Sequence, residues 1–353
     1  MERCLVGRET RQDKRQVLKP GFCCPGITDD CILRCQMCDK WKKDKMTYGK
    51  PQPSLEEWKR AATQLRGLVD EGFEIDIGGG EALLVDWLWD FVRHCVDIGF
   101  KMAVASNGYL VDEEMAKRIA DSGLFSLVIS LDSLDENIHD SWRGVSGVYK
   151  RVMQAIEYLA KYAPKLHIGI CSIIMENTLD GLIKLVEWVN QDSRLRSIYY
   201  MVPMQPNNTY WGKDGFDKHW YKSKEFSFYW PQDTKKTHAV IDEIIRRRKN
   251  GELVGNTIVQ LEAYKKYLAA PDRFVKKGSC NLDRAIHISS IGDIFLCYNW
   301  ACLGNIRNKE DDIRRLWVSK KADAVRENIR TCKDNCHFLL NCFFEGDYPF
   351  VVK

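Results

Sequence analysis

The chain has 353 residues, 45% of them apolar and 29% charged, with a net charge of +4 at pH 7. That length accommodates one large domain, or a large one and a small one, and the charge is too small to point to nucleic acid. No run approaches the ~20 apolar residues of a membrane span, and the charged segment from Met1 to Lys14 lacks a signal-peptide core, so the expectation is a cytoplasmic protein with no membrane partner.

From about residue 25 to 250, strand and helix patterns alternate. Strands are expected over 26–30, 73–77, 101–106, 124–131, 166–174 and 197–202. Ser54, Leu55, Glu56 and Glu57 form a capping box that opens a helix towards Asp70. The 3.6-residue period predicts helices over 87–97, 112–122, 148–162 and 179–190. Six β-α steps predict an α/β fold with a parallel sheet, a partial (β/α)6 TIM-like barrel. The segment 205–233 breaks the rhythm. It is polar and aromatic, holds Trp211, Phe216, Trp220, Tyr221, Phe226, Phe228, Tyr229 and Trp230, and is expected near the barrel mouth. There its aromatic faces would stack a sugar, a nucleoside or peptide side chains, or serve only as a lid. Helices over 234–250 and 257–269 follow. Next come a hairpin, 285–289 with 293–298, and a helix over 314–330. Ala270, Pro271 and Asp272 suggest a boundary. The expected organisation is an N-terminal segment, 1–22, a barrel core, 23–270, and a small Cys-rich α+β extension, 271–353.

Fourteen Cys in a long chain of this kind suggest metal or redox chemistry rather than disulfides. Cys95 and Cys171 sit inside apolar patterns and read as core residues. Cys31, Cys35 and Cys38 have the spacing C-x3-C-x2-C directly after the first strand. Three thiolates on one loop suit a [4Fe–4S] cluster and leave one iron open for reaction. Zinc is the rival, but it asks for a fourth Cys or His, and the nearest His along the chain is His94. Corroboration comes from the strand ends. Gly78-Gly79-Gly80-Glu81 follows strand two, Ser106-Asn107-Gly108 follows strand three, and Ser130-Leu131-Asp132-Ser133 ends strand four. In a barrel all of these lie at the C-terminal rim, where active sites form.

On these motifs the chain resembles the radical S-adenosylmethionine (SAM) superfamily from about residue 22 to 203. The resemblance implies that Cys31, Cys35 and Cys38 hold the cluster. It implies that Gly79, Gly80 and Glu81 receive the SAM amino group, and that Ser106, Asn107, Ser130 and Asp132 face its ribose and carboxylate. Ala82 stands where that motif usually has Pro, and Met37 where the family usually has an aromatic residue; its sulfur can still pack on adenine. Arg143 either pairs with the SAM carboxylate or makes a surface ion pair. Met201 and Val202 either flank the adenine or belong to the barrel core. The implied reaction is reductive cleavage of SAM to a 5′-deoxyadenosyl radical that takes a hydrogen atom from substrate. An oxygen-sensitive oxidoreductase, or an enzyme of a related radical transformation, is expected, served by a donor such as flavodoxin or ferredoxin.

A second Cys group, Cys280, Cys297, Cys302, Cys332, Cys336 and Cys342, brackets the hairpin and closes the chain. It resembles the auxiliary-cluster extensions of the same superfamily, SPASM and its shorter form, twitch. This chain has C-x3-C where SPASM has C-x2-C, and Gly346 where a further Cys would fall. One auxiliary [4Fe–4S] cluster is therefore expected, held by Cys280 and Cys297 with two of Cys332, Cys336 and Cys342. Cys302 is the spare, and a four-Cys zinc site is the rival. The substrate is expected to be a small molecule or sugar-like compound. The alternatives are a SPASM-type peptide maturase forming thioethers, epimers or cross-links, and a non-catalytic iron–sulfur or zinc scaffold.

Overall fold

The structure is a computed structural model. It describes residues 18–38, 40–41, 47, 49–204, 219–224, 226–276, 280–332, 340 and 350–352, with only the backbone of 274–276 and 350–352. The elements run β1 Phe22–Pro25, α1 Leu55–Arg66, β2 Glu74–Ile77, α2 Leu88–Asp97, β3 Lys101–Ser106, α3 Glu113–Ser122, β4 Ser126–Ser130, α4 Glu136–Arg143, α5 Val148–Tyr162, β5 His167–Ile173, α6 Leu182–Gln191 and β6 Ser197–Met201. They continue with α7 Thr234–Lys249, α8 Ile258–Ala269, β7 Phe274–Lys276, β8 Ala285–Ile288, β9 Asp293–Phe295, β10 Gly304–Asn305, α9 Ile313–Trp317, α10 Lys320–Thr331 and β11 Phe350–Val352. No helix among the described residues is long and apolar enough to cross a membrane.

Five parallel strands stand in the order β2-β3-β4-β5-β6. Such crossovers need helices, and sequence supplies them. In α5, Val148, Val152, Ala155, Ile156 and Leu159 recur at helical spacing and are all fully buried. Each large aliphatic among them contributes roughly 1.5–3 kcal/mol by leaving water. The capping box at Ser54 forms as expected, with Ser54 N donating to Glu57 Oε2 at 2.7 Å. Helices α1, α2, α3 and α5 pack in succession over the outer face. Along β3, Met102 and Val104 point into that layer, whereas Ala103 and Ala105 occupy the opposite, inner row.

A second sheet, β1-β8-β9-β10, adjoins this one through a parallel bridge between Gly26 and Gly78. The resulting arc is a partial barrel, with no closure among the described residues. The expected hairpin forms as β8 and β9, and Gly292 N donates to Ser289 O at 2.8 Å in its turn. Its first strand runs parallel to β1, from Phe22 opposite Ala285 to Pro25 opposite Ile288.

Several elements differ from expectation, three of them instructively. The first strand is Phe22–Pro25 and not 26–30, because its partner, β8, lies some 260 residues away in sequence. Residues 26–30 instead follow the turn after β2: Ile27 N donates to Gly78 O, Gly80 N to Thr28 O and Glu81 N to Asp30 O. The helix expected over 314–330 is two helices, since Ser319 caps a new one by accepting from Ala322 N at 3.1 Å. Helix α4 was not anticipated at all. Asp135 caps its start, and Gly144, at φ 68°, ends it in the left-handed region.

Candidate active site

The rim of the barrel encloses a cavity of about 300 Å3. Cys31, Cys35 and Cys38 all line it, together with Met37, Gly79, Gly80, Ser106, Asn107, Ser130, Arg143, Met201 and Val202. The strand-end logic of the sequence therefore converges on one place.

Three supports fix the Cys loop. The first is the turn after β2. Gly79 has φ 134°, and a Cβ there would stand 2.3 Å from Thr28 O; a Cβ on Gly80 would stand 2.1 Å from Asp30 O. Only glycines let the two backbones approach so closely. The second is the C-terminal end of α4, where Arg34 N donates to Arg143 O and Gln36 N to Trp142 O. A Cβ on Gly144 would meet Arg34 O at 2.3 Å. The third is Asp29. It pairs with Lys40 and accepts from Thr47 Oγ at 2.6 Å and Ser290 Oγ at 2.7 Å. Ser290 belongs to the C-terminal hairpin turn, so one carboxylate ties both Cys-bearing regions together.

Each of the three sulfurs also meets a nitrogen donor. Asn107 Nδ2 lies 3.9 Å from Cys31 Sγ, Arg143 Nη1 4.0 Å from Cys35 Sγ, and Lys40 N 3.4 Å from Cys38 Sγ. Burial pushes the Cys35 thiol up to about 11, against the pull of Arg143, and raises Cys31 as well.

Glu81 and Asp132 stand behind the cavity wall. Glu81 is 1% exposed, and its carboxylate accepts from Ser106 Oγ (2.9 Å), Asn107 N (2.8 Å) and Leu83 N (3.2 Å). Burial raises its pKa despite these donors. Glu81 thus pins the loop that carries Asn107, and at Gly79 and Gly80 the wall facing the cavity is backbone. Asp132 is fully buried and lies 2.8 Å from Arg143 Nη2, while its Oδ1 accepts from Ile173 N at 3.2 Å. His139 Nδ1 accepts from Asp132 N at 3.2 Å. Burial and the Arg143 charge hold the His139 pKa down at about 4, so it is neutral at pH 7.

Sequence reasoning missed Lys40, Trp41, Ile173, Pro203 and Met204, which also line the cavity. Signals existed for some: Lys40 and Trp41 stand two and three residues after the third Cys, and Ile173 ends a barrel strand. Tyr229, from the aromatic segment, does reach the mouth, where Phe228 stacks on Trp142 at 5.6 Å and 8°. Residues 205–218 and 225, including Trp211 and Phe216, lie outside the described residues.

A family model described as the radical SAM superfamily matches residues 26–189. This part of the chain belongs to the radical SAM superfamily. An AdoMet-dependent heme synthase of Methanosarcina barkeri is 23% identical over 322 residues, covering 88% of this chain and 85% of that one. Among solved structures, Streptococcus suis SuiB superposes with a TM-score of 0.64 at 13% identity, over 88% of this chain and 68% of that one. The structure of anSMEcpe with bound AdoMet gives 0.59 at 16%, over 91% and 87%. At such identities these two speak for the fold, a radical SAM partial barrel. Radical SAM enzymes use a [4Fe–4S] cluster and SAM, and this chain is such an enzyme.

The thiol arrangement fits that cluster. Thiolates of a cubane bind separate irons, so thiols spaced around a shared cavity suit it. In the C-terminal region, Cys280 and Cys297 are buried and Cys332 caps α10. Cys302 Sγ donates to Gly304 O at 3.0 Å, the behaviour of a protonated thiol. Cys336 and Cys342 lie outside the described residues.

Proposed function

We infer that this radical SAM enzyme abstracts a hydrogen atom from a small-molecule substrate bound at the barrel mouth, with one auxiliary cluster at its C-terminal Cys group. The observation that carries the reading is the convergence of Cys31, Cys35 and Cys38 on one cavity with Gly79 and Gly80. When bound there, the cluster and SAM supply one-electron cleavage to a 5′-deoxyadenosyl radical. The chain's own residues do the rest. Cys31, Cys35 and Cys38 would hold the cluster. Backbone at Gly79 and Gly80 offers polar groups to the SAM ammonium, and Arg143 offers a cation to its carboxylate. Ser106, Asn107 and Ser130 line the polar side, while Met37, Met201 and Val202 provide apolar surface for adenine. Ile173 and Tyr229 help to keep water from the reacting atoms.

For the auxiliary site we retain Cys280 and Cys297 with two of Cys332, Cys336 and Cys342, and the thiol donation of Cys302 supports its being the spare. Such a cluster would take up an electron after hydrogen abstraction or bind substrate. The barrel core, 23–270, and the extension, 271–353, remain our division of the chain. A reducing cytoplasm, with a flavodoxin- or ferredoxin-type donor, suits exposed cluster chemistry. The small-molecule reading draws support from the heme synthase relative. A peptide substrate is the second reading, since SuiB has been solved bound to its precursor peptide SuiA.

The test is SAM cleavage. Protein purified without oxygen and reconstituted with iron and sulfide should release 5′-deoxyadenosine when given SAM and dithionite, and Cys35→Ala should not. Full cluster loading with neither product nor SAM binding would overturn the proposal.

A further inference from the structure

The three nitrogen donors at the Cys loop are not equivalent. Asn107 Nδ2 and Lys40 N are neutral amides, whereas Arg143 brings a guanidinium, which stays charged at all working pH values. Arg143 is 8% exposed, and its Nη1 is 4.0 Å from Cys35 Sγ. Its Nη2 is 2.8 Å from Asp132, which is wholly buried. His139 completes the cluster of polar side chains but is held neutral by its surroundings. Arg143 also acts on Cys171, which burial keeps a thiol with its pKa pushed up to about 12, and on the buried Glu81 carboxylate. Of the charged side chains that act on Cys35 itself, Arg143 is the cation in contact and Asp132 the anion paired with it.

We propose that Arg143 sets the reduction potential of the cluster held at Cys35, with Asp132 as the opposing charge. This rests on the reading that Cys31, Cys35 and Cys38 hold the cluster. Iron–sulfur potentials respond to net charge, hydrogen bonds to sulfur and solvent exposure. Reduction adds one negative charge to the site. A buried cation beside a ligand sulfur favours that added charge, more so because little water screens it. The ion pair with Asp132 aims the guanidinium and weakens its field. Arg143 is thus a positioning and potential-setting residue, separate from any contact with the SAM carboxylate, and its effect exists before SAM arrives.

The experiment is a redox titration followed by electron paramagnetic resonance, without SAM, on the full chain purified without oxygen. The Cys31–Cys35–Cys38 cluster is identified as the signal that changes when SAM is added to a parallel sample and that Cys35→Ala removes. Iron and sulfide are counted in every variant. Arg143→Gln should lower the reduced fraction at a fixed potential about tenfold, a shift of about 59 mV for one electron. Asp132→Asn should move the midpoint the other way. The double variant, which buries no unpaired charge and so threatens folding least, should lie below the wild type. A merely structural role would move both single variants alike, and that result overturns the proposal. So does a loaded double variant with an unchanged midpoint, or loss of the cluster from every variant. A wild type lacking any SAM-responsive cluster would instead sink the functional reading.

Discussion

The two Cys regions are built on different plans. Cys31, Cys35 and Cys38 are neighbours in sequence but take their support from elsewhere: the glycines after β2, the end of α4, and Asp29. Cys280 and Cys297 are far apart in sequence, yet they flank a hairpin whose first strand is joined to β1. A loop of adjacent ligands is short enough to close round one cluster but has no core of its own. A hairpin has a frame but must wait for later residues to complete a ligand set. The lesson is that the first site is legible in sequence although its support is long-range, whereas the second has a local hairpin for a frame and still leans on β1 at the other end of the chain.

The sharpest way to break this comparison is to delete one site. Replacing Cys31, Cys35 and Cys38 together by Ala should abolish 5′-deoxyadenosine release and leave an iron–sulfur spectrum from the C-terminal region alone. Disappearance of all cluster signal from the folded triple variant would mean the second cluster had been misassigned. The next effect is nearly as large and involves no ligand. Gly80→Ala puts a methyl group 2.1 Å from Asp30 O, where backbone must yield. Iron content should fall to the C-terminal share while the helical circular dichroism persists. Normal loading in Gly80→Ala would show that the loop does not need this support.

The motifs at the strand ends were readable because a barrel places them at one rim whatever the details. The expected strand over 101–106 and helix over 148–162 match the structure residue for residue, since strong periodicity leaves little choice. Pairing partners were not readable. Nothing local in Phe22–Pro25 announces Ala285–Ile288 as its neighbour. Nor does the sequence reveal that Glu81 turns away to hold Ser106 and Asn107, because a buried carboxylate is recognisable only by its donors. Helix α4 could have been found from Asp135 and Gly144, a cap pair eight residues of helix apart.

Charge in the barrel interior gives a gentler probe. Asp76 alternates with the buried Ile75 and Ile77 on β2, and Gly78, two residues on in the same row, adjoins Cys24 Sγ. Burial, with Glu74 adding to it, pushes the Asp76 carboxyl up to about 7. A carboxyl raised in the folded state stabilises it fully below the unfolded pKa, about 3.9. That contribution is lost as pH rises through about 7. Asp76→Asn should therefore flatten the pH dependence of the unfolding free energy between these limits, and gain on the wild type above pH 7 by up to a few kcal/mol. Urea unfolding of the loaded protein at several pH values measures it, and parallel curves would refute the burial argument.

The smallest effect tests whether the two Cys regions are independent. Asp29 joins Lys40 and Thr47 on the side of the first loop to Ser290 in the hairpin turn. Asp29→Asn keeps an oxygen for the two hydroxyls and removes the charge that pairs with Lys40. Hydrogen bonds to a charged group contribute ~1.5–3 kcal/mol, and part is retained by the amide, so a loss of about 1–2 kcal/mol is expected. If the regions are separate units, this loss appears as weaker loading of the first cluster, with the C-terminal spectrum unchanged. If β1 and β8 make them one unit, both signals fall together and the thermal transition stays single. The parallel pairing of those strands, four residues long, favours the second outcome, because the hairpin cannot shift without pulling on the strand that feeds the Cys loop.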